Sequence, residues 1–303
     1  MERIEDLSEL RARIGDWRRT GDTIAFVPTM GNLHAGHLNL VAEARRRARR
    51  VVVSIFVNPL QFGPSEDLAA YPRTLAQDQV LLEQVGCDLL FAPNVATMYP
   101  RGQEAQTRVE VPGLSDILCG ASRPGHFTGV ATVVCKLLHM VHPDLALFGE
   151  KDYQQLLVIR RLVEDLAMPI AILGVATVRE PDGLAMSSRN GYLSADERAR
   201  APALYRILQA AADALKVGRS TAEVEQETSQ ALARAGLRPD YVSVRRGEDL
   251  AEPGDADRDL VILAAVYLGR ARLIDNLRLR RGVEGSGDRR AENADGAPQQ
   301  SLG

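Results

Sequence analysis

Two histidines and a glycine lie close together near the N-terminus, in the segment Pro28-Thr29-Met30-Gly31-Asn32-Leu33-His34-Ala35-Gly36-His37. A strand-like run precedes this loop and a helical pattern follows it, so the free N–H groups and positive dipole end of the helix form an anion site. His34 and His37 are three residues apart and can face one ligand from a first helical turn, where imidazole N–H groups would stabilise charge on phosphoryl oxygens. The alternatives are two structural histidines at a helix start, or a zinc pair. The zinc pair would lack an obvious third ligand among the five histidines of the chain.

Three further segments place polar side chains where predicted strands end. Asn58 and Gln61 follow the second strand, and the Gln61 amide offers donors and acceptors for hydroxyl and carboxylate groups. Gly149-Glu150-Lys151-Asp152-Tyr153-Gln154-Gln155 opens another helix. In it, Lys151 suits β- and γ-phosphates, Asp152 suits ribose hydroxyls, and Gln155 shares a helix face with Asp152.

The segment Met186-Ser187-Ser188-Arg189-Asn190 sets two hydroxyls beside a guanidinium, a group that binds anions and could close over a phosphate. Taken singly, the three segments are also compatible with a turn, a capped helix start and a polar linker. Together with the histidine loop they meet at one edge of one predicted sheet. That coincidence predicts a nucleoside triphosphate site.

The elements that position these segments follow from hydrophobic patterning. We predict strands at 23–27, 51–57, 88–92, 144–148 and 170–178, and helices at 38–50, 74–85, 128–141 and 152–166. Nearly continuous apolar strands separated by helices predict a parallel sheet covered on both faces, and right-handed crossovers make it a doubly wound, Rossmann-like α/β fold. Ligands of such sheets bind beyond the C-terminal ends of the strands.

The pattern changes after about residue 189. Helical stretches at 195–217 and 221–235 precede strand-like runs at 241–244, 260–268 and 272–274, which predicts a second, smaller α+β domain. We therefore divide the chain into a nucleotide- and substrate-binding domain at 1–178 and a smaller lid domain at 179–281. The remaining residues, 282–303, are polar and predict a disordered tail.

Composition excludes several functions. A formal net charge of −3 argues against a general nucleic-acid or membrane binder. The arginine-rich run at 45–50 contains no aromatic residue for base stacking and is predicted to end a helix. Three cysteines without CxxC spacing fit a reducing cytoplasm, and the charged N-terminus is not a signal peptide. His139 and His142 are also three residues apart, but they precede Pro143 at a helix end and are expected to be structural.

The chain resembles the pantoate–β-alanine ligase (pantothenate synthetase) family over roughly residues 21–280. The resemblance is carried by PTMGNLHAGH (28–37), SIFVNPLQFGPSEDLAAYPRT (54–74), RPGHFTGVATVV (123–134), FGEKDYQQL (148–156), VREPDGLAMSSRN (178–190) and, more weakly, LIDNL (273–277). HxGH alone would indicate only the wider nucleotidylyltransferase and class I aminoacyl-tRNA synthetase superfamily. The resemblance implies an ATP- and Mg²⁺-dependent condensation of (R)-pantoate with β-alanine through an enzyme-bound pantoyl adenylate, and a homodimer.

The resemblance also assigns site residues. ATP is expected to contact Met30, Gly31, Asn32, Leu33, His34, Ala35, Gly36, His37, Gly149, Glu150, Lys151, Asp152, Val178, Met186, Ser187, Ser188 and Arg189. His37 falls in the role usually given to a proton donor. Gln61 and Gln155 are expected to hold pantoate, and Gln61 also β-alanine, with Asn58, Arg123 and His126 as further candidates on the substrate side.

Two positions depart from the family pattern. Asp78 falls where some members place a carboxylate linked to Mg²⁺, but its neighbour is Gln77 rather than a second acid, so the metal is expected to be held by the phosphates. In the second domain, Arg246 replaces an acid that would be expected after the strand at Tyr241.

The predicted reaction is in-line attack of a carboxylate on the α-phosphorus, with His34, His37, Lys151 and Arg189 stabilising the negative charge. A neutral amine then attacks the adenylate carbonyl while water is excluded. One alternative is nucleotidyl transfer to a phosphate acceptor, whose product would retain AMP. The other is a nucleotide-sensing domain that binds ATP without turnover.

Overall fold

The computed structural model describes residues 1–64 and 66–282, so the predicted tail lies outside the described residues except for Gly282. The first part of the chain forms a six-stranded sheet with the strand order β1-β4-β3-β2-β5-β6, and every neighbouring pair is parallel. Its strands are β1 (Glu2–Ile4), β2 (Ile24–Thr29), β3 (Arg50–Ile55), β4 (Leu89–Phe91), β5 (Leu145–Gly149) and β6 (Ala171–Val175).

Helices cover both faces of this sheet, which confirms the predicted fold class. The helices are α1 (Leu7–Arg19), α2 (Ala35–Arg47), α3 (Leu75–Gln84), the short α4 (Val95–Met98) and α5 (Cys119–Ser122), α6 (His126–Val141) and α7 (Tyr153–Asp165). Side chains of α1, α6 and α7 share one core with Phe26 and Val52, while α2 and α3 pack with Ala25 and Val27 on the opposite face. The first four residues of β2, Ile24 to Val27, are therefore fully buried, as the unbroken apolar run predicted.

The central strands β2 and β5 separate towards their C-terminal ends. They pair only at Ala25 with Leu145 and at Phe26 with Ala146, whereas β2 pairs with β3 through Thr29. The chain crosses from β2 to one side of the sheet and from β5 to the other, so this gap is the topological switch point. The two loops that carry most of the predicted ATP residues both begin here.

A three-stranded antiparallel sheet and three helices form the second part. The elements are α8 (Ala195–Arg200), α9 (Ala203–Lys216), α10 (Thr221–Arg234), β7 (Arg238–Arg246), β8 (Asp259–Leu268) and β9 (Ala271–Arg280), with the order β7-β8-β9. Alternate residues of β8 face different cores. Leu260 and Ile262 pack against the helices of this part, whereas Val261 and Leu263 join the core of the six-stranded sheet. The division of the chain at residue 178 stays a prediction.

Some sequence-based boundaries were wrong for identifiable reasons. The single helix predicted at 195–217 is two helices, because Pro202 has no N–H to donate and lies just before α9. The strand predicted through residue 178 ends at Val175, and the residues after it form a loop. Helix α1 was not predicted, although Leu10, Ile14 and Trp17 bury one helical face and Asp6 caps the helix by accepting from the backbone N–H groups of Ser8 and Glu9.

The arginine-rich run ends α2 and leads into β3. Each of its five arginines pairs with an acidic side chain: Arg45 with Asp88, Arg46 and Arg47 with Glu43, and Arg49 and Arg50 with Asp22.

His139 has a structural contact, since its Nδ1 lies 2.8 Å from the carbonyl of Cys135 within α6. Across residues 1–64 and 66–282, no helix combines the length and apolar character needed to cross a membrane.

Candidate active site

The carboxylate of Asp78 fixes the conformation of the loop after β2 through hydrogen bonds to its backbone. Gly31 and Asn32 adopt left-handed backbone conformations, with φ of 81° and 51°. Their turn aims two backbone N–H groups at Asp78: Asn32 donates to Oδ2 at 2.9 Å and Leu33 donates to Oδ1 at 2.8 Å. Asp78 is 2% exposed and also accepts from the hydroxyl of Thr74. Its oxygens are therefore engaged by protein donors. Asp78 holds the conformation of this loop and is not among the residues that line the cavity at the switch point.

His34 and His37 form a reciprocal capping box at the start of α2. The helix begins at Ala35, so His34 is the residue that precedes its first turn. His34 Nδ1 accepts from the N–H of Gly36 at 3.2 Å, and His37 Nδ1 accepts from the N–H of His34 at 3.3 Å. Because both Nδ1 atoms are acceptors, each neutral ring carries its proton on Nε2. The two rings lie with centroids 4.1 Å apart, so both Nε2–H groups belong to one cluster.

The His34 ring leaves no room for a side chain at Gly36. A Cβ atom at this position would lie 2.9 Å from Cε1 and 3.0 Å from Nδ1 of the His34 ring, too close for the present geometry. The glycine of the HxGH pattern therefore makes room for the first histidine as well as for a ligand.

Both imidazoles are held neutral by their surroundings. Burial and the nearby charge of Lys151 lower the pKa of His34 from 6.5 to about 4. Burial, with the charges of His34 and Lys151, lowers the pKa of His37 to about 3. Near neutral pH the pair consequently acts as two uncharged hydrogen-bond donors. The resemblance implied a proton donor at His37, but this environment favours hydrogen-bond donation to a negatively charged group.

Gln61 enters the site from a short 3-10 turn, Pro59–Gln61, that is fastened from several sides. Asn58 is 1% exposed, and its Nδ2 donates to Gln61 Oε1 and to the carbonyl of Gly129, both at 3.1 Å. The Asn58 Oδ1 atom accepts from the hydroxyl of Tyr99 at 2.7 Å. Gln61 Nε2 lies 2.9 Å from the sulfur of Met30. Asn58 therefore orients Gln61 and does not itself line the cavity.

Arg123 and His126 hold the backbone of the same turn. His126 Nδ1 donates to the carbonyl of Gln61 at 2.8 Å, and Arg123 Nη1 donates to His126 Nε2 at 3.0 Å. Arg123 also pairs with Glu66 at 2.6 Å. Burial and the Arg123 charge lower the pKa of His126 to about 4, so its ring is neutral. Both side chains face a neighbouring cavity of about 480 Å³ that meets the main one at Gln61.

The turn after β5 carries Lys151 and Asp152 into α7. Asp152 does not cap the helix with its side chain, which lines the cavity instead. Gln155 lines the cavity one turn further on. The adjacent Gln154 is buried and tied to the carbonyls of Leu114 and Ile117, each at 2.8 Å. Of the two neighbouring glutamines, only the one predicted from its helical position faces the site.

The segment from Val178 to Arg189 forms the opposite wall. The N–H of Met186 donates to the carbonyl of Val178 at 3.0 Å. These two residues, both predicted to contact ATP, therefore lie side by side. The hydroxyl of Ser188 donates to the carbonyl of Asn32 at 3.2 Å, joining this wall to the HxGH loop. Arg189 lies 3.2 Å from Asp67.

These segments enclose a cavity of about 230 Å³ at the switch point. The sequence-predicted residues along its wall are Met30, His34, Gly36, His37, Gln61, Gly149, Lys151, Asp152, Gln155, Val178, Met186, Ser187, Ser188 and Arg189. Gly31, Asn32, Leu33, Ala35 and Glu150 belong to the same loops without lining it.

The apolar part of the lining was not predicted from the sequence. Val133, Val134 and Leu137 of α6, together with Phe56 and Tyr71, form much of the remaining surface. Helix α6 is apolar on nearly every side, so its pattern predicts burial but does not distinguish the face that meets a cavity.

Comparison with known proteins agrees with this geometry. The family model described as pantoate-beta-alanine ligase matches residues 2–278. A pantothenate synthetase of Shewanella amazonensis is 62% identical over 271 residues, which cover 89% of this chain and 96% of that relative. The chain belongs to the pantoate–β-alanine ligase family.

Two solved structures of the family share the fold. A pantothenate synthetase from Thermus thermophilus has a TM-score of 0.85 and 49% identity, covering 91% of this chain and 99% of that one. A pantoate–β-alanine ligase from Francisella tularensis, complexed with β,γ-ATP and β-alanine, has a TM-score of 0.78 and 34% identity, covering 91% and 97%. The doubly wound sheet with its small antiparallel companion is thus the fold of this ligase family.

In this family member, replacing His37 by Asn should separate capping from catalysis. An Asn oxygen can replace Nδ1 as the acceptor for the His34 N–H, but nothing replaces the Nε2 donor. We expect adenylate formation to slow by about 10²–10³-fold, the loss typical of one transition-state donor, with little change in melting temperature. Rapid-quench single-turnover assays measure the rate. His37→Gln, which keeps a donor near the Nε2 position, is the control and should lose less; wild-type rates in His37→Asn would contradict the assignment.

The buried neutral histidines should also make stability depend on pH. In the unfolded chain they bind protons near their ordinary pKa of 6.5, whereas the folded values are about 4 or below. The free energy of unfolding should therefore fall as pH decreases from about 7.5 to about 5.5, because the unfolded state takes up more protons. Urea titrations across this range provide the test, and His37→Asn should show a shallower slope. A slope that is the same in both proteins would contradict the burial of a neutral His37.

Proposed function

We propose that this chain condenses (R)-pantoate with β-alanine in an ATP-dependent reaction that yields pantothenate, AMP and pyrophosphate through a bound pantoyl adenylate. The observation that carries this proposal is the histidine pair. Two neutral imidazoles use Nδ1 to accept from the backbone and keep Nε2–H for a ligand, at the helix start that faces the switch-point cavity. Neutral donors, a positive helix end and Lys151 together suit a polyphosphate.

We infer one orientation of ATP from the residues that line the cavity. The phosphates lie towards His34, His37, Lys151 and Arg189, and the nucleoside lies towards Asp152 and Val178. Pantoate lies between Gln61 and Gln155, where two amides meet its hydroxyl and carboxylate groups and the apolar side chains of α6 meet its methyl groups. In-line attack requires the carboxylate to approach the α-phosphorus from the side opposite the pyrophosphate.

The reaction follows in two steps. A pantoate carboxylate oxygen bonds to the α-phosphorus, and the bond from that phosphorus to pyrophosphate breaks. The neutral amine of β-alanine then bonds to the acyl carbon, AMP leaves with the anhydride oxygen, and the nitrogen loses a proton. His34, His37, Lys151 and Arg189 stabilise the charge of the first step. The wall from Val178 to Arg189, joined to the HxGH loop by Ser188, keeps water from the mixed anhydride.

We propose that Mg²⁺ enters as part of the MgATP substrate. Within residues 1–64 and 66–282, no three carboxylate, histidine or cysteine side chains are grouped to hold a metal ion. Asp78, the candidate ligand, already accepts two backbone N–H groups and a hydroxyl. The phosphate oxygens supply the hard ligands that Mg²⁺ prefers.

A homodimer and a cytoplasmic location remain proposals that rest on the family. The three cysteines, all buried free thiols, are compatible with a reducing compartment.

A product assay tests the reaction class. With MgATP, pantoate and β-alanine the enzyme should release AMP and pyrophosphate together with pantothenate. With pantoate alone it should exchange labelled pyrophosphate into ATP, because adenylate formation is reversible while the intermediate stays bound. A product that retains AMP would indicate nucleotidyl transfer instead, and ATP binding without exchange or turnover would indicate a sensing domain.

The division of the site is tested by two substitutions. Gln61→Ala should weaken pantoate use by about 10–10²-fold and leave ATP affinity nearly intact, because hydrogen-bonding atoms of pantoate lose their partner. Lys151→Ala should instead weaken ATP affinity and slow adenylate formation. Separate titrations of ATP and pantoate against each variant measure both effects, with melting temperature as the control for folding. Wild-type pantoate affinity in Gln61→Ala would contradict the assignment.

A further inference from the structure

Asn276 connects the small sheet to the turn that carries Lys151. It lies on β9 opposite Leu263, and it shares with Ile274 the face that packs against the six-stranded part. Asn276 is 8% exposed, and its Nδ2 group donates to the carbonyl of Glu150 and to the carbonyl of Lys151, both at 2.9 Å. Both protons of one amide are thereby used on two consecutive carbonyls of one turn.

The direction of Lys151 depends on this turn. The Lys151 side chain carries its charge on a flexible four-carbon stem. The position of the Lys151 backbone therefore decides which part of the cavity the ammonium group can reach. Lys151 lines the same cavity as His34 and His37. A turn that shifts would move this charge relative to the histidines and to any phosphate they hold.

Asp275, the preceding residue, fastens the other edge of the ATP cavity. Asp275 is 3% exposed. Its carboxylate pairs with both terminal nitrogens of Arg179, at 2.6 and 2.9 Å, and accepts from the N–H of Asn276 at 2.8 Å. The Arg179 guanidinium stacks on the ring of Tyr205 at 3.5 Å. Arg179 follows Val178, so the dipeptide Asp275-Asn276 contacts two cavity segments at once, one through the Arg179 side chain and the other through the carbonyls of Glu150 and Lys151.

We propose that Asn276 is a positioning residue for the adenylation step: it acts through the Glu150–Lys151 backbone to aim the Lys151 ammonium at the β- and γ-phosphates. The cavity is lined by side chains from the HxGH loop through Arg189, and among the residues described beyond Arg189 none contributes to its wall. The small sheet consequently affects the chemistry through main-chain carbonyls. The proposal deepens the function proposed above and rests on it.

A double-mutant cycle between Asn276→Ala and Lys151→Ala tests this coupling. In the wild-type background, Asn276→Ala should slow single-turnover adenylate formation by about 10–10²-fold, the size of effect expected when a charged group moves by about 1 Å. In the Lys151→Ala background the same substitution should have no further effect, because the group that Asn276 positions is gone. Losses that simply multiply would overturn the proposal.

Nucleotide affinity gives a second readout that a purely structural role would not produce. Asn276→Ala should weaken ATP binding and leave AMP binding unchanged, because AMP lacks the β- and γ-phosphates. Equal weakening of both nucleotides would overturn the proposal. Ser243→Ala is the matched control: Ser243 is a buried polar residue of the same small sheet that faces Glu225 of α10, and its loss should change neither nucleotide affinity nor rate.

If Asn276→Ala does not fold, Asn276→Ser takes its place in the cycle, since a hydroxyl keeps a smaller polar group at the position and still cannot bridge both carbonyls. The ATP and AMP affinities are measured without turnover. A failure of the ligase reaction in the wild-type protein would therefore refute the proposed function, while the affinity comparison would still decide the role of Asn276.

Discussion

The site depends on the way in which two histidines use their ring nitrogens. Each Nδ1 accepts a backbone N–H at the start of α2, so each ring is fixed by the helix it caps and has only Nε2–H to offer a ligand. Burial keeps both rings uncharged, and this matters because an imidazolium at His34 or His37 would have no acceptor lone pair with which to cap the helix. Folding and charge stabilisation therefore require the same protonation state. Gly36 and the left-handed Gly31 and Asn32 provide the backbone that this arrangement needs.

Much of the fold followed from apolar periodicity. The buried strands β2, β3 and β5 and the helices between them were predicted because short, continuous apolar runs are typical of strands that are covered on both faces. Two boundaries failed for local reasons. Pro202 divides one predicted helix, and β6 ends at Val175, where the chain turns towards the cavity. The first helix was missed although Asp6 and the spacing of Leu10, Ile14 and Trp17 indicate it. The limits of a periodic pattern are weaker signals than its centre.

The candidate site was predicted best where a polar residue directly follows a strand. His37, Gln61 and Lys151 lie in the segments that follow β2, β3 and β5, and Arg189 lies in the longer segment after β6; the topology of a parallel sheet brings these segments to one edge. Asn58, Asp78, Arg123 and His126 have equally suggestive types, but the structure uses them to hold loops. The sequence could not separate these two groups, because a buried amide that binds a carbonyl and an amide that binds a substrate look alike in a linear chain. The role of Asn276 depends on contacts with residues 126 and 125 positions away, which no local pattern contains.

Strand β8 has a consequence for how the molecule comes apart. One set of its side chains belongs to the core of the small sheet and the alternate set belongs to the core of the six-stranded sheet, so the strand cannot leave either core without exposing the other. The two parts of the chain are thereby expected to melt in a single cooperative transition and to share one folding barrier. Rearrangement around a bound nucleotide is then expected within the loops that line the cavity, and not as a movement of one part of the chain relative to the other.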